Sequence, residues 1–221
     1  MTFDVAFAWS ILPSLLKGLA VTFQVVVLGF VAALCLGLTL AVLRHAGRGP
    51  VPALTRAYVM FISHTPLLVQ LFFLYFVLPQ IGLRFSAMTT GILGLGLYFG
   101  AYIAEAWRGA IEDIHYGQWE AARALDLPPL ATWIRIILPQ TVKPMLPVLG
   151  NYLIGMFKET PLLAMITIPE LFQITKQIAD LTYNYNETYT LLGLLFLLIS
   201  VPSSLLFQYL EKRSHGKSRV A

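Results

Sequence analysis

Residues 18–43 read GLAVTFQVVVLGFVAALCLGLTLAVL and hold no Lys, Arg, Asp or Glu. As an α-helix rising 1.5 Å per residue, the stretch is about 39 Å long. A hydrocarbon layer of ~30 Å takes about 20 apolar residues to cross, whereas buried helices of soluble proteins seldom stay apolar past about 14. The stretch therefore reads as a membrane crossing. Working outward, residues 57–83, 85–104 and 188–210 are equally free of charge. These runs explain why only 12% of the 221 residues are charged, about half the share in an ordinary soluble domain.

The charges between the runs set the topology. Helices are expected over about 18–43, 54–78, 86–107 and 188–210. Residues 1–17 lack the basic n-region of a secretory signal and read as an extracytoplasmic, interfacial lead-in. A fifth crossing, about 141–160, is hidden. Its uncharged centre, Pro144 to Phe157, has 14 residues and covers only ~21 Å. Without it the polar segment after residue 110 and the basic tail, 211–221, would fall on opposite faces. With it, Arg44, Arg48, Arg56, Arg108, Arg123, Arg135, Lys143, Lys212, Arg213, Lys217 and Arg219 share one side. That side holds 11 of the 15 basic residues and leaves Lys17, Arg84, Lys158 and Lys176 on the other. By the positive-inside rule the first side is cytoplasmic. The expectation is an all-α membrane protein of five crossings, N-terminus outside and C-terminus inside.

If the fourth helix spans, Lys158, Glu159 and Thr160 lie at membrane depth, where the helix should break before Pro161. Ionised groups there are expensive and usually face a partner or a wet route. Two readings stand: a polar lining on a solute route, or a structural ion pair with Lys158 reaching the headgroups. Glu105 and Arg108, three apart, are expected to share a helix face and offset one another. Gly96 and Gly100 read as close helix packing.

Residues 117–139, GQWEAARALDLPPLATWIRIILP, differ from all of this. Residues 117–125 are Ala-rich and should be helical, with Trp119, Ala122 and Leu125 on one apolar stripe. The Pro128–Pro129 pair can open a second helix with Leu130, Ile134 and Ile137 on one face. Two short helices joined by a turn are expected, their stripes covered by the bundle or by a cytoplasmic partner.

This segment resembles the E-A-A loop of binding-protein-dependent ABC permeases. The pattern is matched by Glu120, Ala121, Ala122, Ile136, Leu138 and Pro139; at position 126, where the family usually has Gly, this chain has Asp126. Asp tolerates φ > 0 better than most residues, so the turn should survive. HTPLLVQLFFLYFVLP (64–79), GAYIAEAWRGAI (100–111), LPVLGNYLIGMFKETPLL (146–163) and IPELFQ (168–173) resemble the polar amino-acid permease branch. Within it, AWSILPSLLKGL (8–19) and MFKETPLL (156–163) most resemble ectoine and hydroxyectoine permeases. The resemblance implies a type I importer permease domain over 18–210 with a coupling loop at 112–139, in a bacterial inner membrane. It also implies a second permease subunit, identical or related, two ATP-binding subunits docked around Glu120 to Leu125, and an extracytoplasmic solute-binding protein. ATP would be used by the partner, with no cofactor bound by this chain.

Other motifs fall away on context. Gly216–Lys217–Ser218 ends like a phosphate-binding loop, but the required earlier Gly is Glu211. The four histidines show no metal-ligand spacing, Cys35 is the only cysteine, and the basic residues form no clustered nucleic-acid patch. No nucleophile–base pair appears, so no catalytic residue and no metal site are expected. An ion-coupled secondary transporter would usually show an internal repeat, which this sequence lacks. A membrane scaffold or embedded enzyme is the other rival.

Overall fold

A computed structural model describes residues 3–215. The first helix, α1, runs Val5–Ala46 and is started by Asp4, whose side chain accepts the Phe7 N–H at 2.9 Å. Residues 5–17, expected as a separate lead-in, are the opening turns of this same helix. The reason is packing: Ile11 and Leu15 are buried against Leu171, Ile174 and Leu195 from two later helices, which holds the turns straight through Pro13.

The second expected helix is not continuous. α2 (Val51–Ser63) and α3 (Leu67–Phe72, extended by a π-turn and a 3₁₀ turn to Ile81) meet at a bend of 102°. Pro66 has no N–H to continue the ladder and keeps Thr65 out of the helical region. Irregular backbone at membrane depth needs other donors. Gln70 supplies them, its Nε2 donating to Ile62 O at 2.9 Å and Thr65 O at 3.1 Å.

α4 (Ala87–Glu112) lies along α1 for most of its length. Small residues make this possible. A Cβ on Gly37 would stand 2.6 Å from Ile103 Cγ2 and 3.0 Å from Gly100 O. Gly96 and Gly100 face Ala32 and Leu36 of α1, so their spacing serves packing within the chain, as expected.

Two short helices, α5 (Tyr116–Ala124) and α6 (Pro129–Thr132), precede a π-turn over Trp133–Ile137 that leads into α7 (Leu138–Glu159). A 3₁₀ turn (Thr160–Ile166) starts at the expected break before Pro161. α8 (Leu171–Thr182) is capped by Glu170, which accepts the Phe172 and Gln173 N–H groups at 2.9 and 2.7 Å. α9 runs Tyr185–His215. The chain ends beyond it, Gly216 to Ala221, lie outside the described residues, and with them Lys217 and Arg219.

Three helices, Val5–Ala46, Ala87–Glu112 and Tyr185–Tyr209, are each long and apolar enough to cross a membrane, and the bent α2–α3 pair is a fourth candidate. α7 has 22 residues, about 33 Å of helix, but carries Lys143, Asn151, Lys158 and Glu159. The Asp4 N–H donates to Glu187 at 2.8 Å, so α1 and α9 start at the same end of the bundle. The last turn of α1 meets α5 and the end of α4 at the other, which we term the loop end.

Candidate functional site

Two regions carry polar chemistry. At the loop end, α5 is opened by His115, whose Nδ1 accepts the Gly117 N–H at 3.1 Å. It closes through two backbone bonds, Asp126 N–H to Arg123 O and Leu127 N–H to Ala122 O, each 3.0 Å. That pairing is a Schellman closure, which demands a left-handed residue at its centre. Asp126 takes that place with φ +51°, so Asp stands where the pattern has Gly and the turn forms.

The two expected apolar stripes do not stay whole. Ala122 and Ile137 are buried and Trp119 is half-buried, but Leu125, Leu130 and Ile134 are 72%, 71% and 56% exposed. Leu125 is the residue on which α5 ends, so it turns off the stripe. The π-turn over Trp133–Ile137 advances each residue by less than an α-helix does, which rotates Ile137 inward and leaves Leu130 and Ile134 outside. Glu120, Ala121, Asp126 and Pro139 are exposed as well, while Ile136 and Leu138 are half-buried. The result is an exposed ridge with carboxylates among apolar side chains. Gln140 Nε2 donates to Gln118 Oε1 at 3.3 Å, tying the start of α7 to α5. The Arg123 guanidinium carbon lies 5.5 Å over the Tyr116 ring and its Nη2 donates to the Tyr116 hydroxyl at 3.0 Å, which raises its already high pKa further.

Beside these residues three rings from three segments meet, His45 exposed and Trp119 and Trp133 half-buried. His45 stacks on Trp119 with centroids 4.9 Å apart, and Trp133 stands edge-on to both, 5.4 Å from each. A cavity of about 390 Å³ opens beside them, lined by Tyr116, Arg123, Leu127 and Pro129 among others. Further along, Arg44 pairs with Glu105, Glu105 with Arg108 at 2.7 Å, and Arg108 with Glu112. The expected Glu105–Arg108 contact is thus one link of a four-residue chain.

The second region lies at the opposite end of α7. Lys158 and Glu159 are exposed and, among the described residues, neither makes an ion pair. Thr160 does not belong with them: it is fully buried, and its hydroxyl donates to Phe157 O at 2.8 Å. The helix tightens at Pro161, and that turns the hydroxyl back onto its own backbone. Sequence reasoning missed a cluster next to this end. Tyr98 and Tyr102 of α4 have ring centroids 5.0 Å apart and hydroxyls 3.3 Å apart, and Tyr152 of α7 stands 6.4 Å from Tyr102. Tyr98, Tyr102 and Glu105 follow one another at i, i+4 and i+7, a single helix face. That spacing was the available signal.

Among the described residues no group of three or more His, Cys, Asp or Glu could hold a metal. What the geometry offers is a membrane bundle with a folded, ridge-bearing loop. Residues 33–216 match the family described as the binding-protein-dependent transport system inner membrane component. The chain belongs to this family. It is 43% identical to a probable amino-acid ABC transporter permease of Sinorhizobium fredii, over 94% of this chain and 90% of that protein. It is 33% identical to the glutamine transport system permease of Escherichia coli, over 96% and 98% of the two chains. Among solved structures, an amino acid ABC transporter crystallised with histidines aligns with TM-score 0.86 at 31% identity, covering 96% of this chain and all of that one. An inward-facing methionine ABC transporter aligns at TM-score 0.65 and 22% identity, over 94% and 99%, and speaks for the fold alone. The chain is therefore the permease subunit of an ABC importer, an inner-membrane component without enzymatic activity of its own, ATP hydrolysis residing in a separate subunit.

Proposed function

We propose that this permease, paired with a second permease subunit, encloses the route for a polar amino acid or an amino-acid-like compatible solute such as ectoine. The chain makes five crossings, with the N-terminus outside and the loop end and C-terminus in the cytoplasm. An ATP-binding subunit grips the ridge formed by Glu120, Ala121, Leu125 and Asp126 against Leu130 and Ile134. Ile136, Leu138 and Pro139 set the junction with α7. A solute-binding protein delivers the solute at the opposite end, where Lys158 and Glu159 line the route. ATP is used by the partner subunit, and closure of the ATP-binding pair rotates the two permease halves as near-rigid bodies.

The observation that carries this reading is the ridge. Leu125, Leu130 and Ile134 are exposed on a loop whose backbone is fully folded and whose other face is packed on the bundle. Large apolar side chains held out together on an ordered element mark an interaction surface. Glu120→Lys tests it. Insertion should be unchanged, while co-purification of the ATP-binding subunit and ATP-driven uptake fall at least about tenfold, the scale of one interface hot spot. Wild-type retention of the ATP-binding subunit would overturn the docking role. Competition of uptake by unlabelled ectoine against glutamine decides the solute class.

A further inference from the structure

Arg44 and His45 are consecutive residues in the last turn of α1, so their side chains leave the helix about 100° apart. Arg44 binds Glu105 on α4. His45 stacks on Trp119 of α5 at 4.9 Å and meets Trp133 of the π-turn edge-on at 5.4 Å. One turn of helix therefore hooks the long α1–α4 pair on one side and the docking loop on the other. Each hook is specific. The Arg44–Glu105–Arg108–Glu112 chain fixes the ends of α1 and α4 together. The three rings join three segments that are otherwise separate in sequence.

The α1–α4 pair is built to move as a body. Its glycines hold the two backbones in close approach: Gly37 on Ile103 and Gly100, Gly96 on Ala32, Gly29 on Leu95. Interfaces packed at this density do not deform continuously. A displacement applied at the last turn of α1 is then carried along the helix rather than absorbed there. α5 is attached to α4 through residues 113–115 and to α7 through Gln118 and Gln140, so its attachment to α1 is the separate one. Of its nine residues only Ala122 is buried, and Trp119 is the large side chain that reaches back toward α1.

We propose that His45 is the positioning residue that carries motion of the docking loop into the α1–α4 pair. The ring triad is the rigid contact, and the imidazole is its one member on a membrane helix. This inference rests on the docking reading above but is separable from it. His45 is itself exposed but is not one of the ridge residues named above, so its loss leaves those residues available to the partner and removes the link beside them. An aromatic pair of this geometry holds its partners by between about two- and tenfold, and His45 makes two such contacts.

The test uses the complete complex of permease and ATP-binding subunit in lipid nanodiscs. Cys35, the only cysteine of the chain, is exposed on α1. It takes an environment-sensitive thiol fluorophore, with a cysteine-free ATP-binding subunit as partner. In the wild type, ATP should change the fluorescence, because α1 moves and the surroundings of Cys35 change with it. In His45→Ala the ATP-binding subunit should still co-purify, and the ATP-induced change should fall at least fivefold. In His45→Phe, which keeps an aromatic ring at the stack, it should return to within twofold of wild type. Full response in His45→Ala, failure of His45→Phe to restore it, or a wild-type complex whose Cys35 signal ignores ATP would each overturn the relay. Loss of the ATP-binding subunit from His45→Ala would also overturn it, by showing that the ring merely keeps the loop folded. A wild-type permease that never retains an ATP-binding subunit would instead sink the docking reading.

Discussion

The two ends of the bundle treat charge in opposite ways. At the loop end, Arg44, Glu105, Arg108 and Glu112 answer one another in an unbroken chain. At the far end of α7, Lys158 and Glu159 stand exposed, with no ion pair among the described residues. An ionised group at membrane depth costs several kcal/mol unless something compensates it. Groups that compensate one another are explained by the fold. Groups that do not must be met by something outside this chain: water, a solute or a second subunit. On the proposal that Lys158 and Glu159 line the route, the contrast separates scaffold from site without appeal to any one residue type.

The largest effect expected is on the scaffold itself. Gly37→Leu would drive a Cβ to 2.6 Å from Ile103 and 3.0 Å from the Gly100 carbonyl oxygen, and backbone cannot give way cheaply. Overpacking of this kind costs about 3 kcal/mol, seen as a lowered thermal midpoint in detergent. Gly109 is its control, since a Cβ there meets nothing within 4 Å, and Gly109→Leu, which also replaces a poor helix former inside α4, should not lower the midpoint. Next comes Glu105→Gln, which cannot pair with Arg44 and Arg108. These side chains are partly exposed, so the loss should be about 1–2 kcal/mol, between the surface and buried extremes. A midpoint equal to wild type would show the ion-pair chain to be ornament, and the contrast between the two ends would weaken.

How much of this was legible beforehand follows from what kind of force decides each element. The apolar runs announced their helices because bilayer length is a one-dimensional constraint. The break before Pro161 and the turn at Asp126 were legible because they depend on backbone chemistry at single residues. The bend at His64–Pro66 was not read, although Pro66 was in view. A proline inside an apolar run is compatible with a mild kink or a sharp break, and only the Gln70 side chain, eight residues from Ile62, decides between them. The splitting of the Leu130, Ile134 and Ile137 stripe, with Ile137 buried and the other two exposed, was missed because an α-helical period was applied across what became a π-turn. The tyrosine face was overlooked because Tyr98, Tyr102 and Tyr152 carry no charge and were counted with the apolar residues around them.

Lys158 and Glu159 sharpen the contrast from the other side. Replacing them with Met and Gln removes charges that nothing described in the chain requires. The thermal midpoint should then stay within about 1 °C of wild type, while uptake falls by about tenfold, the scale of one hydrogen bond to a charged group. A lowered midpoint with unchanged uptake kinetics would return both residues to the scaffold and erase the difference between the two ends.

The smallest effect is expected at Asp126, and it is informative because its sign is the result of two opposing terms. At φ +51° a side chain costs about 1–2 kcal/mol for most residues, less for Asp. Asp126→Gly removes that strain in the folded loop, yet frees the unfolded chain, and the second term offsets about 0.4–1 kcal/mol of the first. The net change in stability should therefore lie within about 0.5 kcal/mol of zero. Asp126→Val pays the steric cost in full and should lose about 1–2 kcal/mol, with weaker retention of the ATP-binding subunit. The order Gly near Asp, both above Val, is what a turn fixed by backbone conformation requires. If Asp126→Gly instead loses the ATP-binding subunit while the loop stays folded, Asp126 serves the ridge through its carboxylate and not through the turn alone, and the departure from the family pattern is a contact as well as a tolerated turn residue.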